Sequence, residues 1–260
     1  MSAVTVYQQE GYRVRLEWGP DGVRELASCC DVVIVVDVLV FTTSVDIALG
    51  RGARVMPLPW RDERADEAAR AAGAVLTRSG LVRKESGFSS DAAVRGPSLR
   101  PSSLVDLEPG TLLAMASPNG ATLCAAAAEA GTTVIAGCLR NASAVARAAA
   151  ELAGDGVIGV VPAGERWHHH EQRTLRPSIE EYLGAGAITS ALSDGLSPEA
   201  ELAALAYRAA GDRVPELIAN SVSGRELAAA GVSADVPLAS DVDSSKIVPL
   251  LVDGVFVDRV

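Results

Sequence analysis

Four acidic residues stand where they could do chemistry: Asp37, Glu165, Glu180 and Glu181. Asp37 ends the aliphatic run Val32-Val33-Ile34-Val35-Val36. A run of that kind suits a strand buried on both faces of a parallel sheet. An acid at the carboxyl end of such a strand lies at the rim where α/β proteins collect ligands. The competing role for Asp37 is to cap the helix that follows. Glu165 sits in the turn Ala163-Gly164-Glu165 after another apolar run, and Glu180 and Glu181 lie in Ser178-Ile179-Glu180-Glu181. Ser178 and Glu181 fit a capping box, which leaves Glu180 without a local assignment. Asp37, Glu165 and Glu180 or Glu181 make a hard-oxygen set suited to Mg²⁺. Glu165 is equally a candidate acid or base.

Polar turns follow other apolar runs: Ser117-Pro118-Asn119-Gly120 and Cys138-Leu139-Arg140-Asn141. Strands of like direction gather their ends on one edge, so Asp37, Asn119, Asn141 and Glu165 are expected to converge. Helices opening at Thr42, Asn119 and Asn141 would aim their positive ends into the same cleft, which favours an anion. Thr42, Thr43, Asn119, Gly120 and Asn141 are therefore candidate anion contacts. Arg140, Arg166 and Arg176 are candidate clamps for a phosphate.

The elements that must hold these residues alternate. Strands are predicted near 12–17, 32–36, 53–57, 74–77, 111–116, 132–136 and 156–161, with helices near 21–28, 42–49, 61–72, 119–130 and 141–152. This order predicts a three-layer α/β/α fold with a mostly parallel sheet. Periodicity fails over 79–109 and 162–177, which read as long loops. The remainder is helical over about 178–192, 198–210, 213–221 and 223–230, then closes in a hairpin around Asp253-Gly254. A single unit over 1–260 is expected. A weak echo between the segments opening at Asp37 and Ser117 allows two duplicated lobes, about 1–105 and 106–260.

The net charge of −10, from 23 basic and 33 acidic residues, disfavours nucleic acid. No apolar run spans a membrane, and the first residues lack a signal pattern, so a cytoplasmic protein is expected. Cys29, Cys30, Cys124 and Cys138 form no C-x-x-C pair and read as free thiols. His168, His169 and His170 are adjacent in a loop and read as an exposed run rather than a metal site. Leu39 occupies the position where a haloacid-dehalogenase-type phosphatase needs a second acid, so Asp37 is favoured as a metal ligand. There is no P-loop, dinucleotide loop or nucleophile elbow. The Ala-rich C-terminal helices read as core, with a partner surface and a homodimer as the alternative.

The order of Asp37-Val38-Leu39-x-x-Thr42-Thr43, Ser117–Gly120, Asn141–Ala146, Ala163–Glu165 and Ser178–Ile188 resembles the 2-phosphosulfolactate phosphatase (ComB) family. Ser223-Gly224-Arg225-Glu226-Leu227, Gly231, Asp235-Val236 and Val248-Pro249 extend the resemblance. It implies an α/β/α hydrolase that uses Mg²⁺ to cleave a phosphate monoester of a small sulfonated or carboxylated acid, in coenzyme M biosynthesis. Within that pattern Val40 and Phe41 replace an Arg-Ala pair. Thr77-Arg78-Ser79 keeps only the arginine of a G-E-R motif, which makes Arg78 a further candidate substrate contact. Lost basic and acidic residues of this kind leave a second expectation, a non-catalytic relative that binds a small anionic metabolite.

Overall fold

The computed structural model describes residues 6–79, 96–167 and 174–259, with the backbone of 82–84 and 87–89. The strands are β1 (Val14–Leu16), β2 (Val32–Val36), β3 (Arg54–Leu58), β4 (Val75–Leu76), β5 (Val82–Lys84), β6 (Gly87–Ser89) and β7 (Leu112–Ala116). They continue as β8 (Thr133–Gly137), β9 (Ile158–Pro162), β10 (Glu165–Arg166), β11 (Leu175–Arg176), β12 (Pro249–Val252) and β13 (Val255–Asp258). The helices are α1 (Gly19–Ala27), α2 (Phe41–Gly50), α3 (Glu63–Ala71), α4 (Gly120–Glu129) and α5 (Ala142–Ala153). After these come α6 (Ile179–Leu192), α7 (Pro198–Ala210), α8 (Val214–Asn220), α9 (Val222–Ala229) and α10 (Asp235–Ala239).

One large sheet runs in the order β1-β9-β2-β8-β12-β13-β3-β7-β4. All its pairings are parallel except those of β12 and β13. The expected three-layer α/β/α architecture is therefore present. β2 is buried along its whole length and divides the core by alternation. Val32, Ile34 and Val36 pack with α5, α6 and α7, whereas Val33 and Val35 pack with α1, α2 and α4. A strand buried on both faces needs apolar residues at every position, and β2 has them.

The closing hairpin forms where its residues predict it, but in the middle of the sheet. β12 pairs with β8 through Leu250 and Ile135, and β13 pairs with β3 through Phe256 and Val55. Phe256 is fully buried and meets Phe41 edge-on, with ring centroids 6.5 Å apart. The hairpin thus joins two parallel blocks, β1-β9-β2-β8 and β3-β7-β4. Strands from 1–105 and 106–260 interleave in both blocks, so the two segments share the large sheet. The two expected loops each hold a short hairpin, β5–β6 and β10–β11.

The four cysteines are free, as expected. No helix of the described residues is long and apolar enough to cross a membrane. His168, His169 and His170 lie outside the described residues.

Candidate functional site

β2 delivers Asp37 to the carboxyl edge of the sheet, where its side chain is 3% exposed. Both carboxylate oxygens are held by helix amino ends. The Phe41 N–H, first in α2, donates to Oδ1 at 3.2 Å, and the Gly120 N–H, first in α4, donates to Oδ2 at 2.8 Å. The capping role of Asp37 is therefore real, and it serves two helices. Thr42 fixes the turn: its Oγ1 accepts the Asp37 N–H at 3.0 Å and donates to the Asp37 carbonyl at 2.8 Å. The Thr43 hydroxyl donates to the Val38 carbonyl at 2.8 Å. Both hydroxyls are fully buried, so these threonines shape the Asp37 turn rather than face a ligand.

Gly120 is required by the approach of α4 to Asp37. A Cβ there would stand 2.4 Å from the Phe41 ring and 2.7 Å from Asp37 Oδ2. Gly164 has φ +64°, and a Cβ there would meet Leu175 at 2.7 Å. That left-handed turn re-aims the chain after β9 and sets Glu165 beside the end of β2. The Asn119 amide donates to Glu165 Oε2 at 3.3 Å.

The first turn of α6 adds Glu180 and Glu181, 0% and 1% exposed. The Ser178 hydroxyl donates to the Glu181 carboxylate, and no side-chain oxygen caps the α6 backbone. The expected capping box does not form; the serine hydroxyl serves the acid instead. Neither carboxylate oxygen of Glu180 has a hydrogen-bond partner among the described residues.

These acids feel one another. Burial pushes the Asp37 carboxyl above the usual range; the Phe41 and Gly120 N–H groups and Arg61 oppose this, and Glu180 adds to it. Glu165 is pushed up to about 8 by burial and by Asp37 and Glu180, with Arg176 opposing. Glu181 is raised well above its ordinary value by burial, then by Glu180, Glu165 and Asp37. Glu226 is raised by burial and by Glu180, against the pull of Arg176. Asp37, Glu165, Glu180, Glu181 and Glu226 therefore form one acidic centre, which the fields of Arg61 and Arg176 reach. Burial disfavours charge, and like charges add to that cost.

The arginines are not those expected first. Arg61, from the loop between β3 and α3, donates from Nε to the Ala116 carbonyl at the end of β7. Arg176 on β11 lies over the Trp167 ring and donates to the Ser223 hydroxyl at 3.0 Å. Arg166 is half-buried on β10. Arg78 is exposed beyond the edge strand β4, where it bridges to Ser98. Arg140 is committed elsewhere: it pairs with Asp46 at 2.9 Å, with Asp241 at 3.6 Å and with the Leu238 carbonyl at 3.0 Å. Asn141 stays in that second polar group, its Oδ1 accepting the Cys138 N–H and its amide facing Asp46. The Arg140–Asp46 pair fastens α2 to the turn between β8 and α5, and Arg140 carries the link on to Asp241 after α10.

Expected anion sites at the helix amino ends are likewise filled from within. Asp37 takes α2 and α4, and Asp243 accepts the Ser143 N–H of α5 at 2.8 Å. Arg61 escaped the sequence reading because the charged stretch opening α3 looks like a solvated helix face. Glu226 stands inside Ser223–Leu227, which gave a family pattern but no partner.

Among the described residues no three His, Cys, Asp or Glu side chains are arranged as a ready-made ion cage. The donor chemistry still fits a hard cation, because the two bare oxygens of Glu180 lie amid like charges.

The family model for 2-phosphosulpholactate phosphatase matches residues 20–254. The chain belongs to this family. That span contains every acid of the centre, Arg61 and Arg176. Among curated relatives, a probable 2-phosphosulfolactate phosphatase of Deinococcus radiodurans is 29% identical over 231 residues, covering 86% of this chain and 89% of the relative. Family membership implies a phosphatase.

Proposed function

We propose that the chain hydrolyses the phosphate monoester of a small sulfonated or carboxylated acid, of the 2-phosphosulfolactate type, with Mg²⁺ at its acidic centre. The observation that carries this reading is Glu180, fully buried with two unpartnered oxygens beside Asp37, Glu165 and Glu181. Buried like charges are costly unless protons or a cation offset them. Mg²⁺ needs only one or two carboxylates and completes its shell with water and substrate phosphate. Glu180 and Asp37 would hold the ion, with Glu181 restrained by Ser178. When bound, the ion would offset charge on the phosphoryl oxygens and ease ionisation of an attacking water.

The protein's own groups do the rest. The α2 and α4 amino ends keep Asp37 fixed, so the centre needs little rearrangement on binding substrate. Arg61 and Arg176 flank the acids and would pair the phosphoryl and the second anionic group. Glu165, pushed up to about 8 in the metal-free centre and held by Asn119, would be the acid that protonates the leaving alkoxide.

The test is phosphate release from a panel of three-carbon phospho-acids bearing sulfonate or carboxylate, with Mg²⁺ and with chelator. Asp37→Asn is expected to lower kcat about a thousandfold. Arg61→Ala is expected to act mainly on KM. Intact hydrolysis and Mg²⁺ binding in Asp37→Asn would overturn the reading. No release from any substrate, with Mg²⁺ demonstrably bound, would leave the binding-only alternative in its place.

A further inference from the structure

We infer that this chain forms a two-fold dimer through the outer face of α7. One side of α7, with Ala200, Ala203 and Ala204, is fully buried in the core. The opposite side carries Pro198, Leu202, Leu205 and Ala209, an apolar stripe at i, i+4, i+7 and i+11. Leu202 is 60% exposed and Leu205 48% exposed. The stripe borders a cavity of about 590 Å³ lined by Trp18, Tyr182, Leu217, Ala206 and Ala209, with Ile179, 51% exposed, also lining it. Trp18 and Tyr182 stack there with centroids 6.0 Å apart. Single exposed leucines are ordinary; a continuous apolar stripe beside an apolar hollow marks a contact surface.

The charges on the flank of α7 identify what covers it. Glu201 and Arg208 project on the same side of the stripe, spaced evenly about its middle near Leu205. Among the described residues neither has an ion-pair partner. If a second copy packs its α7 antiparallel about a two-fold axis near Leu205, Glu201 of each copy faces Arg208 of the other. The same operation lays Leu202 of one copy over Ala206 and Ala209 of the other, large side chains against small, at the mouth of the cavity. A surface whose apolar relief and charges are both self-complementary under one two-fold is what an isologous interface requires. None of the five acids of the centre lines this cavity.

The experiment is sedimentation velocity and light scattering on the full chain at micromolar concentration. The wild type is expected to be a dimer. Leu205→Glu is expected to be a monomer with unchanged circular dichroism, since the side chain it replaces lies outside the core. Glu201→Arg and Arg208→Glu are each expected to raise the dimer Kd about tenfold, and the double exchange to restore it. A monomeric wild type, or a dimer that Leu205→Glu leaves intact, overturns the inference. So does a double exchange no tighter than the single variants.

Discussion

Glu180→Gln separates a buried charge kept for a ligand from one kept for the fold. The change is nearly isosteric, and Glu180 is 0% exposed with both oxygens unpartnered, so no hydrogen bond is lost. What disappears is one member of a set of mutually repelling acids. Glu180 is the leading charged cause of the raised Glu181 carboxyl and a contributor at Asp37, Glu165 and Glu226. The glutamine amide stays buried and unsatisfied, which offsets part of the gain. The expected result is a metal-free protein more stable by about 1–3 kcal/mol. For a chain of this size that is a rise in Tm of about 2–10 °C. Mg²⁺ acts in the opposite direction. At about a hundred times its Kd it should stabilise the wild type by about 2.7 kcal/mol and the variant by little or nothing. Calorimetry at pH 8 with Mg²⁺ and with chelator measures both effects on the same samples. A Glu180→Gln protein that is less stable without metal, and that Mg²⁺ stabilises as much as the wild type, would refute the reasoning.

Two further outcomes follow from the same geometry. The folded-state values of Asp37, Glu165, Glu181 and Glu226 are raised, so the folded state holds protons more tightly than the unfolded chain. Their contribution is fully present below the ordinary carboxylate range and is lost as pH climbs, through about 8 for Glu165. Urea unfolding of the metal-free protein should show stability falling between about pH 5 and pH 8, by up to about 1.4 kcal/mol per pH unit for each such group. A flat or rising profile would mean that the acids are not held close together. Gly120→Ala should cost about 1–3 kcal/mol, because its Cβ would meet the Phe41 ring at 2.4 Å and displace the Asp37 carboxylate. Its Mg²⁺-dependent rise in Tm should shrink in parallel; an unchanged rise would show that the N–H bonds to Asp37 do not matter to the centre.

The parts of the site that were legible in the sequence rest on local rules. A run of β-branched residues ending in an acid is a short-range pattern, and it located β2 and Asp37 together. Ser178 and Glu181 do meet as their spacing suggests, but side chain to side chain, without the side-chain-to-backbone bonds of a capping box. Partners separated by long stretches of chain leave no such trace. Arg61 reaches Asp37 because the α3 loop folds against the end of β7, and Arg140 leaves the expected cluster because Asp46 on α2 claims it first.

By itself the sequence determined which residues are acids, which runs must be buried strands, and which turns end at one edge of a sheet. These follow from side-chain chemistry and from periodicities of two and 3.6 residues. The tertiary structure alone decided that the closing hairpin lies in the centre of the sheet, that helix amino ends are filled by the chain's own carboxylates, and that Glu180 is left with bare oxygens. Each is a competition among groups far apart in sequence for the same buried space, and packing settles that competition.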